Sequence, residues 1–198
     1  LLSKEKNKNK IEVWTSSGNL KSAILDNNIV ETQIGIPKIN WEEIPLSEKR
    51  DTKNLNLKII DKNNKVHSGG TAVNVGNPHV VFFVDNLNDF DLNRIGPKIE
   101  NNPLFPERCN ITIGKKINDT LIKVNVWERG AGLTKACGTA ACAAAIAGKI
   151  NGLTKSKTDI EFKLGKLTIN IDDKKIINMK GPVSDIKIIN IKIWWEYL

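Results

Sequence analysis

The sequence predicts a mixed α/β (α+β) fold organised as an internal repeat, with sheets that are mostly antiparallel meanders. Three observations carry this. The order Ile11-Glu12-Val13, Gly18-x-Leu20, Ile24-x-Asp26, Ile29, Gly35-x-Pro37 recurs as Ile160-Glu161-Phe162, Gly165-x-Leu167, Ile171-x-Asp173, Ile176, Gly181-Pro182. Each copy alternates apolar and polar positions between Gly and Asp/Asn turns, the pattern of a three-stranded antiparallel meander. An Ala-rich run, Cys137–Ile150, precedes the second copy and reads as a helix stopped by Gly152. Only Leu1–Lys10 precedes the first copy, and the chain opens on Leu rather than Met. The sequence is therefore expected to be an internal piece of a longer chain, with the first copy's helix upstream. That would leave apolar strand positions such as Ile24 and Ile34 uncovered.

The elements follow in order. The first meander occupies Ile11–Pro37. The polar, charged stretch Pro45–Asn54 is taken as a boundary, with residues 1–48 the remainder of a first lobe and 49–184 a complete second lobe. Leu55–Asp61 is a strand. Thr71–Gly76 and His79–Val84 are strands joined through Gly76-Asn77-Pro78, where Pro78 biases Asn77 towards an extended backbone. Asp91–Asn101 is a short helix with Asp91 as N-cap. Asn110–Ile113 and Leu121–Trp127 are strands, the latter presenting Ile122, Val124 and Val126 on one face. Gly130-Ala131-Gly132 loops back to the helix at Cys137. A final strand, Asp185–Ile193, follows the second copy, and residues 185–198 are expected to return to the first lobe.

Composition removes several function classes. A hydrophobic share of 40% with 26% charged residues is that of a folded domain. The net charge of +8 is scattered, with no basic run interleaved with aromatics, so nucleic acid is not an expected partner. The longest apolar runs, Val80–Val84 and Ala140–Ala147, fall far short of a membrane span. Three cysteines without C-x-x-C spacing and two histidines argue against a disulfide framework or a zinc site. No metal ligands are expected, and a reducing cytoplasmic location is.

The most informative segment is Glu128-Arg129-Gly130-Ala131-Gly132, followed by Ala136-Cys137-Gly138-Thr139. Cys137 falls at a helix start, where free N–H groups attract an anion and lower a thiol pKa. A thiolate beside such an anion site suits a base that removes a proton next to a carboxylate. The same residues also fit a small buried Cys behind a Gly-rich turn. Glu128 is either a proton acceptor for the thiol or half of a surface pair with Arg129, whose fork suits a substrate carboxylate. Asn77 and His79 offer an amide and a base, or a turn and a strand. Cys142 and Cys109 read as core residues, and His67 as solvent-facing. A Cys-His hydrolase lacks a third member, and neither GxxxxGK[ST] nor GxGxxG is present.

Gly76-Asn77-Pro78-His79, Phe105-Pro106-Glu107-Arg108-Cys109-Asn110, the Glu128–Ala143 block and Met179-Lys180-Gly181-Pro182 together resemble the diaminopimelate epimerase family, in order and spacing over essentially the whole chain. The resemblance implies two similar lobes, each a curved sheet around a central helix. It implies a cofactor-independent isomerase converting LL- to meso-diaminopimelate, in lysine and cell-wall precursor synthesis. It implies two cysteines, one per lobe, on opposite faces of the α-carbon. Cys137 would be the second-lobe cysteine, partnered by Glu128, and His79 would support the first-lobe cysteine. Gly138 and Thr139 would hold the α-carboxylate, while Asn77, Asn110 and Arg129 bind the rest. The expected partner is a small amino-acid substrate, with a homodimer as an open assembly and no nucleic acid or membrane. The family's Cys-Gly-Asn-type motif has no match here, and Cys109 does not replace it, so this chain alone is expected to be inactive. A related racemase or isomerase of the same fold, or a non-catalytic relic, is the alternative. The Trp194-Trp195-Glu196-Tyr197 tail is unexplained by the resemblance.

Overall fold

A computed structural model describes residues 9–15, 18–25 and 28–184. The first meander forms β1 (Lys10–Thr15), β2 (Gly18–Ile24) and β3 (Ile29–Gly35). The second forms β11 (Lys157–Phe162), β12 (Gly165–Ile171) and β13 (Ile177–Pro182). Between them lie the hairpin β4 (Leu57–Ile60) and β5 (Val66–Gly69), then β6 (Thr71–Asn74), β7 (Pro78–Phe83), α1 (Leu92–Glu100), β8 (Asn110–Asn118), β9 (Leu121–Glu128), β10 (Gly132–Thr134) and α2 (Gly138–Ile150).

The described strands other than β4 and β5 form one sheet in the order β1-β2-β3-β13-β12-β11-β9-β8-β7-β6, with β10 beside β9. Pairing is antiparallel except for β7–β8 and β9–β11, which are parallel. The two meanders meet third strand to third strand, β3 against β13. Their symmetrical placement accords with the repeat.

One face of this sheet is covered along β6–β9 and β11–β13, and the other along β6–β9. On one face α2 packs against β6–β9 and β11–β13, so the sheet wraps around it. Ala140–Ala147 of α2 is buried throughout and meets Val81, Ile122, Val124, Val126, Ile160, Ile169 and Ile177. Alanines let the helix backbone approach the strands closely, and the aliphatic side chains opposite fill the space. Each such fully buried side chain contributes about 1.5–3 kcal/mol. On the other face α1 and the segment carrying Ile44, Leu46 and Leu55 cover Val80, Phe82, Ile111 and Ile113. Because β7 is covered on both sides, Pro78–Phe82 is buried at every position, which explains why apolar residues fill both faces from Val80 on.

Asp91 caps α1, its carboxylate accepting from the Asn93 N–H. Strand β8 runs to Asn118, beyond the expected end at Ile113, because Lys115 and Lys116 continue the ladder against Lys123 and Ile122. Strand β10 was not anticipated; it folds Gly132–Thr134 back on Val126–Glu128. Ile24 is exposed as expected, but Ile34 packs partly into the α2 core. The expected strand Asp185–Ile193 and the aromatic tail lie outside the described residues.

Candidate active site

Cys137 occupies the N-cap of α2 in extended conformation, its carbonyl accepting the first helical bond from the Ala141 N–H at 3.1 Å. Its sulfur makes no capping bond of ordinary geometry, although the Ala140 N–H lies near enough to favour the thiolate. The sulfur lies 3.4 Å from Thr139 Oγ1. The thiol is half-buried and its pKa is raised, not lowered as helix-start reasoning predicts. Burial is the main cause. The Thr139 hydroxyl and the Ala140 N–H pull it back, while the adjacent Glu128 carboxylate, by hydrogen bond and by charge, pushes it up again. Desolvation outweighs the helix end here because the charged thiolate loses more water than the few free N–H groups replace.

Glu128 is the last residue of β9, and β10 folds back on that strand end with Gly132 opposite Glu128, which keeps its charge close enough to act on Cys137. Gly132 takes φ +82° at this reversal, and a side chain there would be strained. Gly138 lies against Met179, with a Cβ at that position only 3.1 Å from its sulfur. That contact links the helix start to the Met179-Lys180-Gly181-Pro182 segment of β13.

Two openings flank the start of α2. One of about 780 Å³ lies between the first meander and the β6–β7 turn, lined by Asn74, Gly76, Asn77, Thr139, Ile34 and Gly35. The other, about 260 Å³, is lined by Cys137, Gly138, Phe162, Lys166, Leu167 and Pro182. Thr139 and Asn77 thus share one opening, and Cys137 and Gly138 the other.

A continuous network joins the remaining residues. His79 is fully buried; its Nε2 lies 2.9 Å from Asn77 Oδ1. Burial first, and the Arg129 charge second, hold its pKa down at about 3, so the ring is neutral near pH 7. Its Nδ1 is buried without a protein partner among the described residues. Asn110 stands beside His79 in the parallel β7–β8 register. It is 3% exposed. Its Nδ2 donates to the Pro78 carbonyl at 2.9 Å, and its Oδ1 accepts from the Arg129 N–H at 3.0 Å. The Arg129 guanidinium donates to the Glu107 carbonyl at 2.6 Å. Asn110 therefore sits behind the site, fixing the strand end, and Arg129 is tethered to the 105–110 loop.

His67 is not simply solvent-facing. Its Nε2 lies 2.9 Å from Asp61 Oδ2, and its ring meets Phe90 edge-on with centroids 5.0 Å apart. The hairpin β4–β5 brings Ile59 opposite His67 and closes this contact, which no local pattern announces. Cys109 and Cys142 are buried as expected, and burial drives the Cys142 thiol up to about 12. Among the described residues no three His, Cys, Asp or Glu side chains are grouped to hold a metal, and no helix is long and apolar enough to cross a membrane.

One residue escaped the sequence reading: Glu100, a buried carboxylate that accepts from Trp127 Nε1 at 2.7 Å and from the Gly130 N–H at 3.0 Å. Its signal was available. Leu92, Ile95, Ile99 and Glu100 share one stripe of α1, so a charge falls on the apolar face.

Comparison with known proteins bears on the same segments. The family profile of diaminopimelate epimerase matches residues 71–186. The diaminopimelate epimerase of Pelagibacter ubique (strain HTCC1062) is 66% identical over 193 residues, 98% of this chain and 70% of that protein. That of Acidiphilium cryptum (strain JF-5) is 40% identical over 184 residues, 93% of this chain and 65% of that protein. Among solved structures, a hydroxyproline epimerase from Agrobacterium vitis superposes with TM-score 0.61 at 11% identity, over 87% of this chain and 56% of that one. A phenazine biosynthesis protein of the PhzF family from Bacillus anthracis gives 0.53 at 13%, over 91% and 69%. At these identities the two structures speak for the fold alone.

Proposed function

The chain belongs to the diaminopimelate epimerase family, a family of amino-acid epimerases, and from that premise we propose that its protein interconverts LL- and meso-diaminopimelate by two-base proton transfer, without a cofactor, in lysine and cell-wall precursor synthesis. Cys137 is one of the two bases. As thiolate it takes the α-proton from one face; as thiol it delivers a proton to that face in the reverse direction. The carbanion's charge spreads into the α-carboxylate, which Gly138 and Thr139 at the start of α2 receive. Glu128 accepts the thiol proton, turning a thiol held protonated by burial into a base only when substrate is in place. Arg129 and Asn77 bind the distal amino-acid group. His79 stays neutral and orients Asn77, and Asn110 holds Arg129.

The observation that carries this reading is a half-buried thiol at a helix N-terminus, close to the β9 end that bears Glu128, whose carboxylate pushes the thiol pKa up. Residues 1–48 are proposed as part of a first lobe and 49–184 as the second. The second base is proposed to come from a Cys-Gly-Asn-type segment, which these 198 residues do not contain, so taken by themselves they would not invert the substrate. Three cysteines, none of them paired, fit a reducing compartment, and a cytoplasmic enzyme is proposed, with a homodimer as one assembly.

Alkylation mapped by peptide mass spectrometry tests the site. Iodoacetamide should label Cys137 in the folded protein, sparing Cys109 and Cys142, and LL-diaminopimelate should protect it. Labelling of Cys137 at the same rate with and without saturating substrate would contradict the assignment.

A further inference from the structure

We infer that Glu100, at the C-terminal end of α1, is a positioning residue that aims the Glu128 carboxylate at Cys137; the inference rests on the role proposed above for that pair. Glu100 is 5% exposed and sits in the last turn of a helix, where the dipole disfavours a negative charge. A carboxylate in such a place is costly unless its lone pairs are occupied. Three donors occupy them: the Trp127 indole N–H at 2.7 Å, the Gly130 backbone N–H at 3.0 Å and the Arg108 guanidinium at 3.3 Å.

Trp127 and Gly130 bracket Glu128-Arg129, so one carboxylate grips both ends of the segment that carries the site. From the opposite side Asn110 takes the Arg129 N–H. The Trp127 ring is further pressed on α1, where a Cβ on Gly96 would fall 2.2 Å from its Cδ2. The β9 end thus has one available direction. An apolar residue at position 100 would fill the same stripe without the desolvation cost, but it would leave the Gly130 N–H and the indole N–H unpaired. No residue of α1 lines either opening beside Cys137 or Thr139. Glu100 therefore acts on the site indirectly, through residues 127–130 and through Arg108.

The charged or titratable groups around Cys137 are Glu128 from β9, Cys142 from α2 and Lys166 from β12, the last engaged by Asp159 at 2.6 Å. Of these, Glu128 is the one whose placement depends on Glu100. The pH dependence of Cys137 alkylation by iodoacetamide, followed by peptide mass spectrometry without substrate, reads that placement directly. Glu128→Gln sets the reference: removing the neighbouring negative charge should lower the alkylation midpoint by about one pH unit, roughly tenfold more thiolate at a fixed pH below it. Glu100→Ala should lower the midpoint in the same sense, and Glu100→Gln by less, since its amide oxygen still accepts one of the donors. Glu100→Gln also serves where the Ala variant fails to fold. The double variant Glu100→Gln/Glu128→Gln should show no shift beyond Glu128→Gln alone. A Glu100 variant that melts lower but keeps the wild-type midpoint would overturn the inference, as would a shift fully additive with Glu128→Gln. In either case the role of Cys137 and Glu128 stands. An unmoved midpoint in Glu128→Gln itself would overturn both.

Discussion

Gly96→Ala sets two physical effects against each other, and the structure decides between them. Gly96 lies inside α1, where replacing Gly by Ala favours the helix by about 1 kcal/mol. Helix propensity alone therefore predicts a more stable protein. The added Cβ, however, would lie 2.2, 2.5 and 2.7 Å from Cδ2, Cγ and Cε3 of Trp127. These are atoms of a rigid ring, not the end of a flexible chain, so either the ring or the helix must move. Overpacking of this kind costs about 1–3 kcal/mol. Moving the ring also strains its bond to Glu100, and a hydrogen bond to a charged group is worth about 1.5–3 kcal/mol. The balance is a loss of about 1.5–5 kcal/mol. At about 2–4 °C per kcal/mol for a chain of this size, Tm should fall by roughly 3–20 °C. Thermal unfolding followed by circular dichroism at 222 nm measures it. A Tm equal to or above wild type would refute the packing argument for α1 and Trp127.

Burial of neutral His79 predicts acid sensitivity. Its pKa is about 3 in the fold against an ordinary value near 6.5, so the unfolded chain takes up the proton first and stability falls as pH drops below about 6.5. The loss should reach about 2 kcal/mol between pH 6.5 and 5 in urea unfolding. His79→Gln should flatten that slope, and equal slopes in the two proteins would contradict it. Arg129→Lys should raise KM for diaminopimelate about tenfold or more in steady-state assays with the intact enzyme, because Lys lacks the planar fork; an unchanged KM would count against Arg129 as a substrate ligand. Ile122→Ala should cost about 2–5 kcal/mol in urea unfolding, since Ile122 is fully buried against α2. Trp14→Ala should stay within about 0.5 kcal/mol, since Trp14 is 80% exposed. Comparable losses for the two would contradict the placement of the core.

What could be read in advance was periodic or local. The alternation in Ile11–Val13 and Ile160–Phe162 and the Gly turns after them define both meanders. The Ala run behind Cys137 defines α2 and puts the thiol at its start. Asp91 announces the α1 cap. What could not be read depends on elements meeting in space. Strand β10 has only three residues and exists because the β9 end is there to pair with. The direction of the Cys137 pKa shift depends on how deeply the sheet buries the thiol, which no spacing encodes. Asn110 matches the family motif, yet only the parallel β7–β8 register shows its amide spanning Pro78 and Arg129. His67 finds Asp61 because a hairpin closes between them. Glu100 was visible as a charge on an apolar stripe, but two of its three partners lie 27 and 30 residues away.

The central claim is that Cys137 moves the α-proton. The most direct measurement is deuterium incorporation at the α-carbon of LL- and meso-diaminopimelate in heavy water, followed by mass spectrometry, for the wild-type protein and Cys137→Ala. The account predicts exchange with at least one isomer, and a fall of about 10²–10⁴-fold in Cys137→Ala. It also predicts that the 198 residues by themselves exchange the proton without forming the opposite isomer. Equal deuterium uptake by wild type and Cys137→Ala would contradict the role of Cys137, and inversion by the 198 residues at the rate of exchange would contradict the need for a second base outside them.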